Sequence, residues 1–263
     1  MRRIRSCEEL VRAADGYLRP GVMANVMLTG EKFGPDIQAG RLFVEAGEHN
    51  LWIVVRREDH VRLYFYLNDP ALPLGELFDL PVSAEMAFRG DGERLAPLEA
   101  CLALCGLRPV FRRVRLTRPP EPRTAEGGAP VGRPSGAQAV FDFLRSNFSP
   151  VTGCLPAMDE VLSGMADQRF LSIEDETGIA GLIHMTREKN NVEIRHLAVR
   201  EDRRGQGLAV RLAAACIGEN PGKPCRVWVR EDYDSARRVY AKAGFRPDGL
   251  RSLVFHNAKE TDG

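Results

Sequence analysis

Residues 194–215, IRHLAVREDRRGQGLAVRLAAA, constrain this chain more than any other stretch. An apolar run ends in a charged turn that carries Arg204, Gly205, Gln206, Gly207 and Ala209. An amphipathic helix follows at once, with Leu208, Leu212 and Cys216 one turn apart on a single stripe. Strand, glycine-bearing loop and helix N-terminus, in that order, build a cradle for an anion. The N–H groups of a first helical turn have no partner within the helix and sit at the positive end of its dipole. Small residues at 205, 207 and 209 let a phosphate reach those groups without meeting a long side chain. Arg204 adds a cation that can hydrogen-bond phosphate oxygens.

The rest of the composition narrows the partners. A net charge of +1 provides no broad basic surface, so neither nucleic acid nor an anionic membrane is expected. No apolar run approaches spanning length. Behind Met1-Arg2-Arg3, the charges of Glu8, Glu9 and Arg12 interrupt any signal core, so a cytoplasmic location is expected. Cys7, Cys101, Cys105, Cys154, Cys216 and Cys225 lack zinc spacing, and the histidines are dispersed. Free thiols and no metal are the expectation.

Residues 117–136, TRPPEPRTAEGGAPVGRPSG, lose all periodicity and read as a Pro/Gly-rich linker between domains at 1–116 and 137–263. In the second half, helices are predicted at 137–146, 207–218 and 235–243. Strands are predicted at 169–174, 178–187, 192–199, 226–230 and 250–256. In the first half, helices are predicted at 8–17 and 95–104, with strands at 41–45, 50–56, 61–67, 84–88 and 110–116. The alternation implies an α/β (α+β) fold of two domains, with helices flanking mixed sheets. LEACLALCGLRPVFRRVRL (98–116) also echoes ARRVYAKAGFRPDGLRSLV (236–254), a faint internal repeat in which Gly106 meets Gly244 and Leu102 meets Tyr240.

Arg204, Gly207 and Ala209 fill an R-x-x-G-x-A pattern, HLAV lies just upstream, and SARRVYAKAGF (235–245) follows. With these motifs, residues 136–258 resemble the GCN5-related N-acetyltransferases (GNAT). The resemblance implies acetyl-CoA as cosubstrate. Its pyrophosphate would lie on Arg204, Gly205, Gln206, Gly207, Leu208 and Ala209. Its pantetheine arm would pair with the backbone of Leu197, Ala198 and Val199, where this family's strand splays from the next. It implies a tyrosine hydroxyl at Tyr240 beside the cofactor sulfur. Tyr233 departs from the family's usual asparagine. The first half reads as a degenerate GNAT copy, because it has neither the loop nor the hydroxyl; an unrelated α+β domain is the alternative.

Acetyl transfer to an amine requires a free lone pair. For a lysine-like amine this costs about 4–5 kcal/mol at neutral pH, which favours a positioned base. Glu193 lies where the histone-acetylating branch of the family keeps its glutamate and is the base candidate. His196 competes, with a near-neutral reference pKa, but strand alternation sets it on the opposite face unless a bulge intervenes. His184 reads as a half-buried histidine. Tyr240 is the acid candidate, able to protonate or hydrogen-bond a departing thiolate. Glu231, Asp232 and Asp234 form an acidic cluster that either attracts a cationic amine or is simply solvated. The catalytic reading takes a small-molecule or peptide amine as acceptor. Its rival is a non-catalytic acyl-CoA-binding regulatory protein. Transfer from an aminoacyl-tRNA is disfavoured by the near-neutral charge. An internal duplication can replace a homodimer interface, so a monomer is expected.

Overall fold

The computed structural model describes residues 1–28, 30–74, 78–120 and 131–257; the middle of the expected linker, residues 121–130, lies outside them. The chain forms two compact units. Unit 1 takes Met1–Arg112, Pro150–Cys154 and the segment from Arg251 onward; unit 2 takes Arg113–Ser149 and Leu155–Leu250.

Unit 1 runs β1 (Arg2–Arg3), α1 (Cys7–Ala14), β2 (Met23–Ala24), α2 (Gly30–Gln38), β3 (Leu42–Ala46), β4 (Asn50–Arg56), β5 (Val61–Leu67), β6 (Val82–Arg89) and α3 (Ala96–Leu104). Then β7 (Arg108–Arg118) begins. The sheet order is β1-β3-β4-β5-β6, followed by the end of β12 (Arg246–His256). Both faces of β4 are covered, which is why its sequence is an unbroken apolar run. Leu51, Ile53 and Val55 join the core with Leu10, Phe33 and Ile37 of α1 and α2. Trp52 and Val54 join the other core with Leu98 and Leu102 of α3.

One junction in this sheet matters later. β5 pairs with β6 in parallel only over Val61–Leu63 and Val82–Ala84. Beyond Leu63, β2 takes the edge that β6 leaves, with Met23 opposite Leu67 and Ala24 opposite Tyr66. The Asn25 amide extends this, donating to the Leu63 carbonyl at 3.1 Å and accepting from the Phe65 N–H at 2.8 Å.

In unit 2, α4 (Ala137–Asn147) and α6 (Met158–Ala166) precede β8 (Phe170–Asp175), β9 (Gly178–Arg187) and β10 (Val192–Val199). Then come α7 (Leu208–Gly218), β11 (Cys225–Arg230), α8 (Asp234–Lys242) and the start of β12. A short α5 (Pro150–Gly153) belongs to unit 1. The order is β7-β11-β10-β9-β8, antiparallel except for β10 beside β11. One core holds Leu212, Cys216 and Tyr240 against Ile183, Ile194 and Val227. The other holds Val140, Leu144 and Val161 against Phe170 and Leu182.

The units depart from a simple 1–116 and 137–263 division because β7 starts in unit 1 and ends in unit 2, while β12 does the reverse. Part of the expected linker is also ordered. Thr117 and Arg118 lie in β7, and Gly132 exchanges backbone hydrogen bonds of 2.9 Å with Ser172. The final strand begins at Arg246, earlier than the sequence indicates. α2 carries Pro35 in its interior, a residue that reads as a breaker, and so its pattern was not legible as a helix. The internal repeat reappears as geometry. Gly106 and Gly244 both end a helix at φ +78° and +83°. The next N–H bonds back identically, Leu107 to Leu102 and Phe245 to Tyr240, each at 2.9 Å.

Candidate functional site

The site assembles where β10 stops pairing with β11. Parallel pairing covers Val192–Ile194 against Cys225–Val227 and then ends. On its other side β10 stays bonded to β9 to its end, Leu197 opposite Ile183 and Val199 opposite Gly181. Leu197, Ala198 and Val199 therefore keep one edge with no strand partner among the described residues. These three side chains are half-buried.

The chain next turns through residues 200–207. Asp175, at the end of β8, accepts from Arg200 at 2.7 Å and from Arg203 at 2.8 Å, and Arg200 also holds Asp202 at 2.7 Å. These bonds, led by those to Arg200 and Thr177, hold the Asp175 carboxyl far below the usual carboxylate range. Arg200 and Arg203 are thus structural pins. Arg204 is exposed, and its Nε donates to the Val199 carbonyl at 3.3 Å.

Gly207 is the N-cap of α7 in the left-handed region, φ +77°, and offers no capping side chain. Gly205 has φ +79°. A Cβ on either would meet nothing within 4 Å. Glycine is thus required for its conformation, and the space in front of the helix end is open. Arg204, Gly205, Gln206 and Gly207 are exposed, Leu208 is buried in the core and Ala209 is half-buried. An uncapped helix N-terminus with open space, next to a strand edge that no strand covers among the described residues, fits a cosubstrate that carries a pyrophosphate and an amide-bearing arm. Gly181 brings α7 onto the sheet: a Cβ there would lie 3.0 Å from Leu212 Cδ1.

Glu193 is mostly buried and pairs with Arg195 at 2.5 Å. The expected opposition of Glu193 and His196 is corrected by a bulge. Ile194 faces Met185 across β9, but His196 faces His184, so Arg195 is an extra residue in the register. Val192 and Ile194 point into the core with α7, and so does Leu197. His196 packs instead edge-on to Phe148, at 5.0 Å, in the core with α4. Glu193 and His196 consequently share a face. Both histidines are buried, with Nδ1 atoms 3.1 Å apart. Burial, then the proximity of His196, Arg195 and Arg169, keeps the His184 pKa well below the usual imidazole value. Alternation alone could not reveal this pair.

Tyr240 is a core residue of α8, its ring edge-on to Phe245 at 5.4 Å. Burial and the neighbouring Cys216 push its hydroxyl far above the ordinary phenol range, so it keeps its proton at neutral pH. The acidic cluster is largely self-neutralised. Asp232 pairs with Arg230 at 2.6 Å, and Asp234 lies 3.6 Å from Arg237. Tyr233 is half-exposed beneath the Arg230 guanidinium at 4.5 Å. Among the described residues, no three His, Cys, Asp or Glu side chains gather as a metal would need, and no helix is long and apolar enough to cross a membrane.

Residues 152–256 match the model of the acetyltransferase (GNAT) domain. No curated protein matches the chain by sequence. Among solved structures, the chain is similar to a GCN5-related N-acetyltransferase from Sphaerobacter thermophilus, at 16% identity and a TM-score of 0.54 over 97% of this chain and 94% of that one. It is similar to a GNAT-family acetyltransferase from Colwellia psychrerythraea, at 14% identity and a TM-score of 0.51 over 98% and 99%. A tandem GNAT protein from the clavulanic acid biosynthesis pathway aligns at 14% identity and a TM-score of 0.50 over 81% and 80%. At these identities the likeness establishes the fold.

Proposed function

We propose, from the premise that residues 152–256 form a GNAT acetyltransferase domain, that unit 2 transfers an acetyl group from acetyl-CoA to an amine of a small-molecule or peptide acceptor. The observation that carries this reading is the parting of β10 from β11 after Ile194, directly upstream of the Gly205/Gly207 loop. Acetyl-CoA supplies the activated acyl thioester. The free backbone edge of Leu197, Ala198 and Val199 orients the arm. Arg204, Gly205, Gln206, Gly207, Leu208 and Ala209 hold the pyrophosphate at the start of α7.

Glu193 takes the proton that the amine loses as it attacks. Its pairing with Arg195 fixes the carboxylate on the face opposite α7. Tyr240 donates its hydroxyl as a hydrogen bond to the leaving sulfur, a role open to a phenol that burial keeps protonated. The bulge at Arg195 favours a second assignment of the base, His196, whose Nδ1 lies 3.1 Å from that of His184. Unit 1 is read as a degenerate GNAT copy that serves no cofactor, and the acting form as a cytoplasmic monomer without nucleic-acid or membrane partners.

Calorimetric titration of acetyl-CoA into wild type, Gly207→Glu and Gly207→Ala tests the cradle. One equivalent should bind to wild type. Glu adds charge and bulk where a phosphate sits and should abolish binding, whereas Ala, which adds strain without charge, should only weaken it. A wild type that does not bind acetyl-CoA overturns the proposal. A wild type that binds it but releases no thiol across a broad amine panel supports the regulatory alternative.

A further inference from the structure

The face of the sheet that carries Glu193 also carries a row of arginines. Cys225, Val227 and Val229 of β11 are buried with α7 and α8, so Arg226, Trp228 and Arg230 stand on the opposite face. Arg226 is level with Glu193 across β10 and with Thr117 across β7. Three arginines around it hold a carboxylate. Arg195 has Glu193 at 2.5 Å, Arg115 has Asp248 at 2.7 Å and Arg230 has Asp232 at 2.6 Å. Asp248 also accepts from the Thr117 hydroxyl at 2.9 Å. Arg226 has no ion pair among the described residues, and its Nε is buried without a hydrogen-bond partner.

A guanidinium cannot shed its charge in a protein, and a buried N–H left unbonded is costly enough to need an explanation. An anion received from outside supplies one, since the planar fork matches a carboxylate or phosphate oxygen pair. The nearest carboxylates, Glu193 and Asp248, are already neutralised by Arg195 and Arg115, so they do not repel such a guest.

We propose that Arg226 binds an acidic group on the acceptor itself, so that the substrate class is an amine that also bears a carboxylate or a phosphate. This rests on the transferase reading above. The spacing refines it. Leu197, on the free edge, lies beyond Glu193 by three residues of the facing strand, from Thr186 to Ile183, because the bulge takes up one residue; that is about 10 Å along the strand. The long Arg226 side chain covers part of that distance, which suits an acid and an amine several atoms apart better than an α-amino acid.

The probes are 6-aminohexanoate and its amide, and 5-aminopentyl phosphate with 5-aminopentanol. Each is titrated calorimetrically into the protein saturated with CoA, where no acetyl group is present to turn over. In wild type at least one acid-bearing amine should bind about tenfold or more tighter than its neutral counterpart. Whichever pair shows the larger preference identifies the acid. Arg226→Gln should erase the preference, Arg226→Lys should restore part of it, and CoA affinity should stay the same in all three proteins. Equal binding of acid and neutral amines by wild type, or a preference that survives in Arg226→Gln, overturns the proposal. Failure of CoA to bind wild type sinks the transferase reading instead. An acid preference measured without CoA, and lost in Arg226→Gln, still supports the anion site.

Discussion

Each unit contains a parallel strand pair that stays together for three residues and then parts: β5 from β6 after Leu63, and β10 from β11 after Ile194. The two forks are filled differently. In unit 1, β2 and the Asn25 amide bond to the freed edge of β5. In unit 2 no strand does so among the described residues, and the chain runs on into the Gly205/Gly207 loop and α7. After β5, residues 68–74 and 78–81 contain no helix. A parting of strands is therefore a property of the fold, and capacity for a ligand depends on what the chain does with the backbone groups thus exposed. Unit 1 covers them with β2 and Asn25; in unit 2 no strand among the described residues does so, and the Val199 carbonyl is met by the Arg204 guanidinium.

The widest gap between the units should appear at Leu102 and Tyr240, which occupy matching places before matching caps. Leu102→Ala empties a fully buried position and should cost about 2–5 kcal/mol of stability in denaturant unfolding, with acetyl-CoA affinity retained. Tyr240→Phe keeps the volume and should do the reverse, leaving stability nearly intact and lowering the transfer rate by about 100-fold or more. Equal rates in wild type and Tyr240→Phe would reduce Tyr240 to a core residue like its counterpart.

A smaller loss is expected at the filled fork. Asn25→Ala leaves the Leu63 carbonyl and Phe65 N–H without these partners and should destabilise by about 1–3 kcal/mol. Acetyl-CoA stoichiometry should remain at one equivalent. A second equivalent in this variant would break the comparison, because the plug would then be masking a working site.

The smallest effect depends on pH. Burial lowers the His60 pKa in unit 1, but Asp59 at 2.7 Å opposes the shift. His184 in unit 2 has only His196, Arg195 and Arg169 as charged influences, and all push the same way as burial. Both histidines bind a proton less readily folded than unfolded. Their contribution is therefore full above about pH 6.5 and is lost as pH falls below it, with a limiting slope of about 1.4 kcal/mol per pH unit for each proton. His184→Asn should flatten more of the wild-type slope in melting temperature than His60→Asn. The opposite order would mean that Asp59 does not protect unit 1.

Most of the strand and helix pattern was legible in the sequence because it rests on local periodicity, as at residues 50–56, 61–67 and 192–199. The loop at 204–207 was legible because glycine and arginine have few other reasons to occur there together. What escaped depended on distant partners. The β2 plug is two residues long and has no period. The bulge at Arg195 exists only relative to β9, so alternation misplaced His196. Arg226 carries no motif, and its lack of a counter-ion among the described residues emerges only when Arg195, Arg115 and Arg230 are seen to have theirs. The acidic cluster at 231–234 was ambiguous for the same reason, until Arg230 and Arg237 were found beside it.

The passage of β12 from one unit to the other has a consequence for biosynthesis. The sheet of unit 1 ends on residues 251–256, and Asn257 bonds back to Val82 through both its backbone and its side chain. In synthesis β6 thus waits for residues 251–256, made long after it, before it gains its neighbour. An N-terminal fragment cut at residues 117–136 would present β6 as a bare edge, open to pairing with other chains.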